Sequence, residues 1–248
     1  MIEKCTTKSW ETSLYEPQKL YYNLMGEKIL TDKNVKSAYY MAKHKKSCDS
    51  PAWDGMTRTI LVDGIEPEHA WSLIRYHVLH GPSGCVKRFD IPKSNGKTRP
   101  ISIYPLLDRV AQWCIMEPLR KACGPLLSPI NHAFLKGKSC KTAFEAFPPA
   151  GEAGYVICGD IHSFFDSVSH SLVRACLWSA GIRDSQLLHT INVTLKTPYK
   201  YPKQPKIKPE QGLPQGAPIS PLLANIILAY MDRYFDALYG DQKLPRMV

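Results

Sequence analysis

Residues 154–170 read GYVICGDIHSFFDSVSH, and this stretch decides how the rest of the sequence is interpreted. The apolar run at 155–158 is of the kind that becomes a covered strand. Asp160 follows this run at its end. A carboxylate in that place is a solvated loop residue, a helix cap or a metal ligand held at the edge of a sheet. The other segments of the chain have to separate these three interpretations.

Composition indicates a globular protein with an anionic partner. The chain has 248 residues, of which 44% are hydrophobic and 22% are charged, so it can bury a substantial core. Lys and Arg number 32 against 22 Asp and Glu, which gives a net charge of +10. This excess favours nucleic acid or an anionic membrane surface as partner.

The sequence carries no membrane or secretion signal that we can identify. The longest apolar stretch, 219–231, is shorter than the roughly 20 residues of a membrane span and includes Asn225. The first residues lack an apolar signal core. The eight cysteines form no C-x-x-C pair, which predicts reduced and mostly buried thiols in a cytoplasmic protein without a membrane. His77, His80 and Cys85 lack a fourth ligand at suitable spacing, which favours structural side chains over zinc.

Residues 85–104 predict a cationic β-hairpin. Apolar residues recur on both sides of an Asn-Gly pair, which is typical of a tight turn between two strands. The apolar residues of this pattern are Val86, Phe89 and Ile91 before the turn and Ile101 and Ile103 after it. Five cations surround the turn: Lys87, Arg88, Lys93, Lys97 and Arg99. Edge strands also use charge against aggregation, but this number favours phosphate binding.

Three helices follow from apolar periodicity and capping residues. The first covers 108–121, with Val110, Trp113 and Cys114 inward and a disturbance at Pro118. The second begins after Ser169 and stops near residue 180. The third covers 220–240, capped by Ser220. Its predicted apolar face consists of Leu222, Leu223, Ile226, Ile227, Tyr230, Met231, Tyr234 and Phe235.

The segment 196–208 mixes tyrosines with lysines and prolines. Rings among cations suit single-stranded nucleic acid, and a solvated loop explains the same composition equally well. The sequence leaves both interpretations open.

Four segments, in their order and content, resemble reverse transcriptases, most closely the bacterial group II intron type. IPKSNGKTRPI at 91–101 is similar to the fingers hairpin of that family, and DRVAQWCIMEPL with FLKGKSCKTAF is similar to its second motif. CGDIHSFFDSVSH resembles the catalytic palm motif, and GLPQGAPISPLLANIIL resembles the template-side loop and helix. SPAWDGMT at 50–57 is more loosely similar to an upstream motif. The resemblance extends over about residues 50–248.

The resemblance implies an α/β fold of the right-hand polymerase kind, with mixed helices and a short antiparallel sheet. It implies an N-terminal helical extension at 1–50, fingers at 51–150 and a partial palm at 151–248. The expected function is that of the N-terminal portion of an RNA-directed DNA polymerase. Its expected ligands are dNTPs, a DNA primer, an RNA template and Mg²⁺.

The palm motif carries the implied catalytic residue. Asp160 and the backbone carbonyl of Ile161 match the positions that hold Mg²⁺, a cation that prefers oxygen ligands. Phe165 matches the ring that excludes a ribose 2′-hydroxyl, and Phe164 is expected to pack into the core. Asp166 is expected to serve as a helix cap or in another structural role rather than as a metal ligand.

The remaining implied ligands lie on the hairpin and loops. Lys93 and Arg99 match residues that bind the triphosphate of the incoming nucleotide. Gln215 and Gly216 match loop positions beside that nucleotide. Three cations are candidates for nucleic-acid backbone contacts: Lys97, Lys136 and Lys138.

One part of the family pattern is missing from these residues. The family palm has two further aspartates in a Tyr-x-Asp-Asp turn, and this sequence contains no Asp-Asp pair. We therefore expect the chain to be inactive alone and to need a downstream chain or segment. Two alternatives remain open: a non-catalytic, maturase-like protein that binds intron RNA, and a remnant of a mobile element.

Overall fold

The computed structural model describes residues 17, 19–93, 96–146 and 158–239, with side chains up to residue 235. The strands are Val86–Pro92 (β1), Thr98–Ile103 (β2) and Tyr199–Lys200 (β3). The α-helices are Asp32–His44 (α1), Arg58–Asp63 (α2), Pro67–His80 (α3), Leu106–Cys123 (α4), Cys140–Glu145 (α5), Phe164–Ser167 (α6), His170–Ser179 (α7), Ser185–Leu195 (α8) and Ser220–Tyr239 (α9). Short π- and 3₁₀-helical turns lie at Met25–Ile29, Lys46–Asp49 and Gly124–Leu126.

Helix α4 forms the centre of the hydrophobic core. Fourteen of its eighteen residues are buried, and it packs against α1, α3 and α9. The sequence predicted a helix with one inward face, but helices cover it on several sides and bury Ile115 and Leu119 as well. A helix surrounded in this way does not need an amphipathic pattern.

Pro118 does not end or disturb α4 in the way the sequence suggested, because the helix continues to Cys123. A proline has no N–H, so the carbonyl four residues earlier loses its helical hydrogen bond. That carbonyl belongs to Cys114, and the Asn34 side chain donates a hydrogen bond to it at 2.8 Å. A side chain from the N-terminal region therefore replaces the missing backbone donor.

The capped helix after Ser169 is confirmed. The Ser169 hydroxyl accepts a hydrogen bond from the Leu172 N–H at 3.2 Å, and α7 follows. The long helix α9 is also present. Met231 and Tyr234, however, are 37% and 41% exposed, so the predicted apolar face is too wide towards its C-terminal half.

The hairpin is confirmed, but its apolar residues do not all lie on one face. Strands β1 and β2 pair antiparallel, with Phe89 opposite Ile101. Side chains alternate along a strand, so Val86 and Phe89 lie on opposite faces. Val86 and Ser102 are buried, whereas Ile91 is 44% exposed. The face containing Phe89 and Ile91 is therefore the more open one.

A third strand makes the small sheet mixed rather than wholly antiparallel. Strand β3 pairs with β1 in parallel, so the strand order is β2-β1-β3. Strand β3 belongs to the 196–208 segment. The Arg88 guanidinium lies over the Tyr199 ring, and the Tyr201 hydroxyl donates a hydrogen bond to the Asp90 carboxylate. The tyrosines thus pack against β1, and this part of the segment is not a free loop.

The cysteines and the suspected metal group have ordinary structural surroundings. Of the seven described cysteines, all are free thiols and four are buried, and burial raises the pKa of Cys114 to about 12. His77 forms an ion-pair contact of 2.5 Å with the buried Asp108. No described helix is long and apolar enough to cross a bilayer.

The three predicted regions share one core. A single cluster of buried side chains includes Leu24 and Val35 from the first region, Ile74 from the second and Ile226 from the third. The division at residues 50 and 150 remains a prediction. Of the strand predicted at 155–158, residues 155–157 lie outside the described residues, and Cys158 is not part of a strand.

Candidate functional site

The loop before α9 joins the Phe-Phe segment to the hairpin. The Leu213 N–H donates a hydrogen bond to the Phe165 carbonyl at 2.6 Å, and the Gly212 N–H donates to the Val168 carbonyl at 2.7 Å. On the other side of the loop, the Ser102 N–H donates to the Gln215 carbonyl at 2.7 Å. Three segments far apart in sequence are therefore fixed to one another by main-chain bonds.

Gly216 permits this close approach. Its φ is +107°, a conformation that side chains disfavour, and a Cβ at this position would lie 2.3 Å from the Ser102 carbonyl oxygen. The neighbouring Ala217 packs with Val86 and Tyr104 from the buried face of the hairpin. Only glycine can occupy position 216 without separating the loop from β2.

The Gln215 side chain has a partner that the sequence did not predict. Its amide nitrogen lies 3.5 Å from the Asp166 carboxylate. Asp166 lies within α6, whose N-terminal cap is Ser163, so the predicted capping role is wrong for Asp166. Its carboxylate instead lies where it can orient the Gln215 amide, and no local sequence rule indicates a contact between residues 49 positions apart.

Phe164 and Phe165 form an edge-to-face pair with ring centroids 5.8 Å apart. Both rings are partly buried and pack against the main core. The sequence predicted core packing for Phe164 alone, so the two rings differ less than expected. The Phe165 carbonyl is the acceptor for the Gln215 loop, which fixes this residue beside the loop.

The buried side chain of His170 contacts the main chain of the same loop. Its Nε2 atom lies 3.1 Å from the Gly212 carbonyl oxygen, and the side chain is buried. Burial lowers the pKa of His170, the bond to Gly212 acts in the opposite direction, and Lys196 lowers it further. Its Nδ1 atom is buried and has no hydrogen-bond partner among the described residues, so a second proton on the ring is disfavoured.

Asp160 and Ile161 are exposed, just before α6. Carboxylate and carbonyl oxygens suit Mg²⁺. The described residues nevertheless contain no group of three or more His, Cys, Asp or Glu side chains that could hold a metal. Asp160 therefore fits as one ligand of a shared site and not as a complete site.

The cations of the hairpin tip lie on its open side. Arg99 pairs with Ile91 in the ladder, so it shares the more open face. Lys93 and Lys97 meet at the tip, where the Lys93 N–H donates to the Lys97 carbonyl at 2.7 Å. All three side chains are exposed, and so they are accessible to an anionic ligand.

Lys136 and Lys138 lie on a different loop, which is attached to α9. The Asn225 side chain donates a hydrogen bond to the Ala133 carbonyl at 2.8 Å. Lys138 is exposed but donates to the Pro129 carbonyl at 3.0 Å, so it has a structural contact of its own. Within the described residues, no hydrogen bond or ion pair joins either lysine to the Gln215 loop.

A cavity of about 310 Å³ lies between the loop and the hairpin's buried face. Its wall includes Arg88, Ser102, Asp166, Tyr199 and Glu210. Apart from Arg88 and Ser102, which are partners in the hairpin, these residues are distant in sequence and no local rule predicts that they meet. The cavity separates the Gln215 loop from β3, and charges of both signs line it.

Comparison with known proteins shows the family and the fold. The sequence profile of the family described as "Reverse transcriptase (RNA-dependent DNA polymerase)" matches residues 91–242, which is more than half of the chain. A partial Cas6-RT-Cas1–Cas2 complex has a similar fold, with a TM-score of 0.50 and 24% identity over 84% of this chain and 34% of that one.

Individual relatives match between 60% and 78% of the chain. Protein YkfC of Escherichia coli is 30% identical over 202 residues, which are 78% of this chain and 52% of that protein. The group II intron-encoded protein LtrA of Lactococcus lactis is 32% identical over 60% of this chain and 25% of its own length. The retron Mx162 reverse transcriptase of Myxococcus xanthus is 29% identical over 60% of this chain and 30% of its own length. The chain spans about half the length of YkfC and less of the other two. By the match to the family profile, this chain belongs to the reverse transcriptases.

Proposed function

We propose that this chain is the N-terminal portion of an RNA-directed DNA polymerase, which adds dNTPs to a primer on an RNA template. The observation that carries the proposal is the attachment of the Gln215 loop to both Phe165 and Ser102. These bonds bring residues of the palm, the loop and the hairpin to one place. A nucleotide site assembled from separate segments needs such fixed relative positions.

The hairpin supplies the contacts for the triphosphate. Arg99 offers a planar guanidinium that can bind phosphate oxygens through two N–H groups, and Lys93 adds a mobile charge. Both are exposed on the open side of the hairpin. They can therefore reach a nucleotide without losing an existing ion pair among the described residues.

The sugar lies against Phe165 in this proposal. The ring is held in place by packing on Phe164 and the core, so it does not yield to a bulkier sugar. A ribose 2′-hydroxyl then meets the ring, whereas a deoxyribose does not. Gln215, oriented by Asp166, lies beside the same nucleotide.

Asp160 contributes one carboxylate to a Mg²⁺ site. A bound pair of Mg²⁺ ions supplies activation of the primer hydroxyl and neutralisation of the triphosphate charge. One carboxylate cannot offset the repulsion between two such ions. We therefore propose that residues 1–248 need a segment with a Tyr-x-Asp-Asp turn for synthesis.

Primer extension tests the proposal. Residues 1–248 alone, and the same residues fused to a palm segment with Tyr-x-Asp-Asp, are incubated with primed RNA, dNTPs and Mg²⁺. We expect extension by the fusion only. Arg99→Ala in the fusion should raise the KM for dNTP, and Lys121→Ala, which removes an exposed charge on α4, should not.

The leading alternative is RNA binding without synthesis, which the net charge of +10 favours. A folded fusion that binds RNA tightly but does not extend any primer supports this alternative. Extension by residues 1–248 alone contradicts the proposed need for further carboxylates.

A further inference from the structure

An exposed tryptophan lies beside the sheet, away from the residues assigned above. The Trp53 side chain is 44% exposed. The Lys87 ammonium lies 5.7 Å from its ring centroid and the Lys200 ammonium lies 5.4 Å from it. The three residues come from a loop, from β1 and from β3, and no local motif predicts that they meet.

The loop that carries Trp53 is firmly held. The buried Arg109 guanidinium donates hydrogen bonds to the Ser47 and Ser50 carbonyls at 2.7 and 2.9 Å. Arg58 forms a salt bridge with Asp49 at 3.0 Å in the same loop. These contacts hold the main chain up to Ser50, three residues before Trp53, so less of the loop has to be ordered on binding.

Two like charges adjoin each other at this ring. Lys87 and Lys200 are partners in the parallel ladder between β1 and β3. No described acidic side chain forms an ion pair with either lysine. Like charges on neighbouring strands repel each other, and a ring offsets this only weakly at an exposed site. An anion bound between the two ammonium groups offsets this repulsion.

The site lies along the open face of the hairpin. Lys87 is on the same face as Phe89 and Ile91, because side chains alternate. Arg99 lies on that face near the tip. A strand that passes along this face towards the tip therefore meets the indole and the two lysines at the base.

We propose that Trp53, Lys87 and Lys200 form a subsite for one unpaired nucleotide of a single-stranded RNA, with the base on the indole and the phosphate between the lysines. Aromatic rings beside cations are the usual means of binding single strands. The subsite rests on the proposed function in so far as the RNA is the template, but binding can be measured without synthesis.

The test is fluorescence anisotropy with the full chain and a labelled, unstructured RNA of about 12 nucleotides, a length within the range of single-strand sites. We expect Trp53→Ala to weaken binding at least about fivefold, as expected for loss of one stacked base. Trp53→Phe should retain most of the affinity. Changing both Lys87 and Lys200 to Ala should reduce the magnitude of the salt slope by about 0.7, because the two lysines share one phosphate.

Matched controls separate the subsite from general effects. Trp178 is 48% exposed and lies beneath the Arg183 guanidinium, so Trp178→Ala removes a similar indole elsewhere. Lys36 lies 4.4 Å from the Trp71 ring, so Lys36→Ala removes a lysine beside another indole. Both should bind the RNA nearly as wild type.

Duplex RNA of the same length tests the stacking step, because its bases are not available to the ring. Trp53→Ala should leave duplex binding unchanged. Equal losses on duplex and single strand, or unchanged single-strand binding by a folded Trp53→Ala chain, overturn the subsite. In the second case primer extension by the fusion protein still decides the proposed function separately.

Discussion

Gly216 gives the sharpest structural prediction, because the hairpin and the loop meet there. A Cβ at position 216 would lie 2.3 Å from the Ser102 carbonyl oxygen, which belongs to backbone and cannot rotate away. The positive φ costs about 1–2 kcal/mol for a side chain, and loss of the Ser102–Gln215 hydrogen bond costs about 1 kcal/mol more. We expect Gly216→Ala to lower the free energy of unfolding by about 2–3 kcal/mol.

Gly137→Ala is the matched control for this prediction. Gly137 also has a positive φ, +79°, but no atom lies within 4 Å of its Cβ position. Its substitution should cost only the backbone strain, about 1–2 kcal/mol. Urea unfolding compares the two variants, and hydrogen exchange reports whether the Ser102 amide loses protection. Equal stabilities with a protected Ser102 amide would refute the reasoning.

Three further predictions concern the support of the site. Because burial lowers the pKa of His170, its contribution to stability should be present above about pH 6.5 and be lost as the pH falls. The melting temperature of His170→Asn should therefore depend less on pH than that of the wild type. An equal pH dependence of the two melting temperatures contradicts this. In a urea titration, Arg109→Ala should lower the unfolding free energy by about 2–3 kcal/mol, because two loop carbonyls lose their donor. The control Arg120→Ala, which removes a surface ion pair, should lower it by less than about 1 kcal/mol. In the fusion protein, Phe165→Ala should incorporate ribonucleotides. Phe164→Ala should mainly lower the free energy of unfolding, by less than the roughly 3–5 kcal/mol expected for a fully buried ring. If Phe165→Ala still selects deoxyribonucleotides as the wild type does, the role of Phe165 in excluding the 2′-hydroxyl is disproved.

Local rules predicted the elements that local interactions determine. The helix α7 follows from the Ser169 cap and its apolar spacing, and the hairpin follows from its turn and alternation. Gly216 was predicted only as a loop position beside the incoming nucleotide. The structure shows that the absence of a side chain at this position admits the Ser102 carbonyl, from a residue more than a hundred positions away.

Long-range packing explains what the sequence could not predict. The hairpin buries Val86 because Ala217 and Tyr199 cover that face, so its more apolar face stays open. Pro118 can lie within α4 because the Asn34 side chain donates a hydrogen bond to the Cys114 carbonyl, which the proline leaves without its helical donor. Trp53 meets Lys87 and Lys200 only after β3 pairs with β1.

The comparison of Asp160→Asn with Asp166→Asn in the fusion protein tests the central claim most directly. Both carboxylates are exposed and lie six positions apart, but only Asp166 contacts Gln215. Single-nucleotide incorporation on primed RNA should be abolished by Asp160→Asn, while Asp166→Asn should remain active with a raised KM for dNTP. Incorporation that survives Asp160→Asn, or that is lost only with Asp166→Asn, would contradict the account.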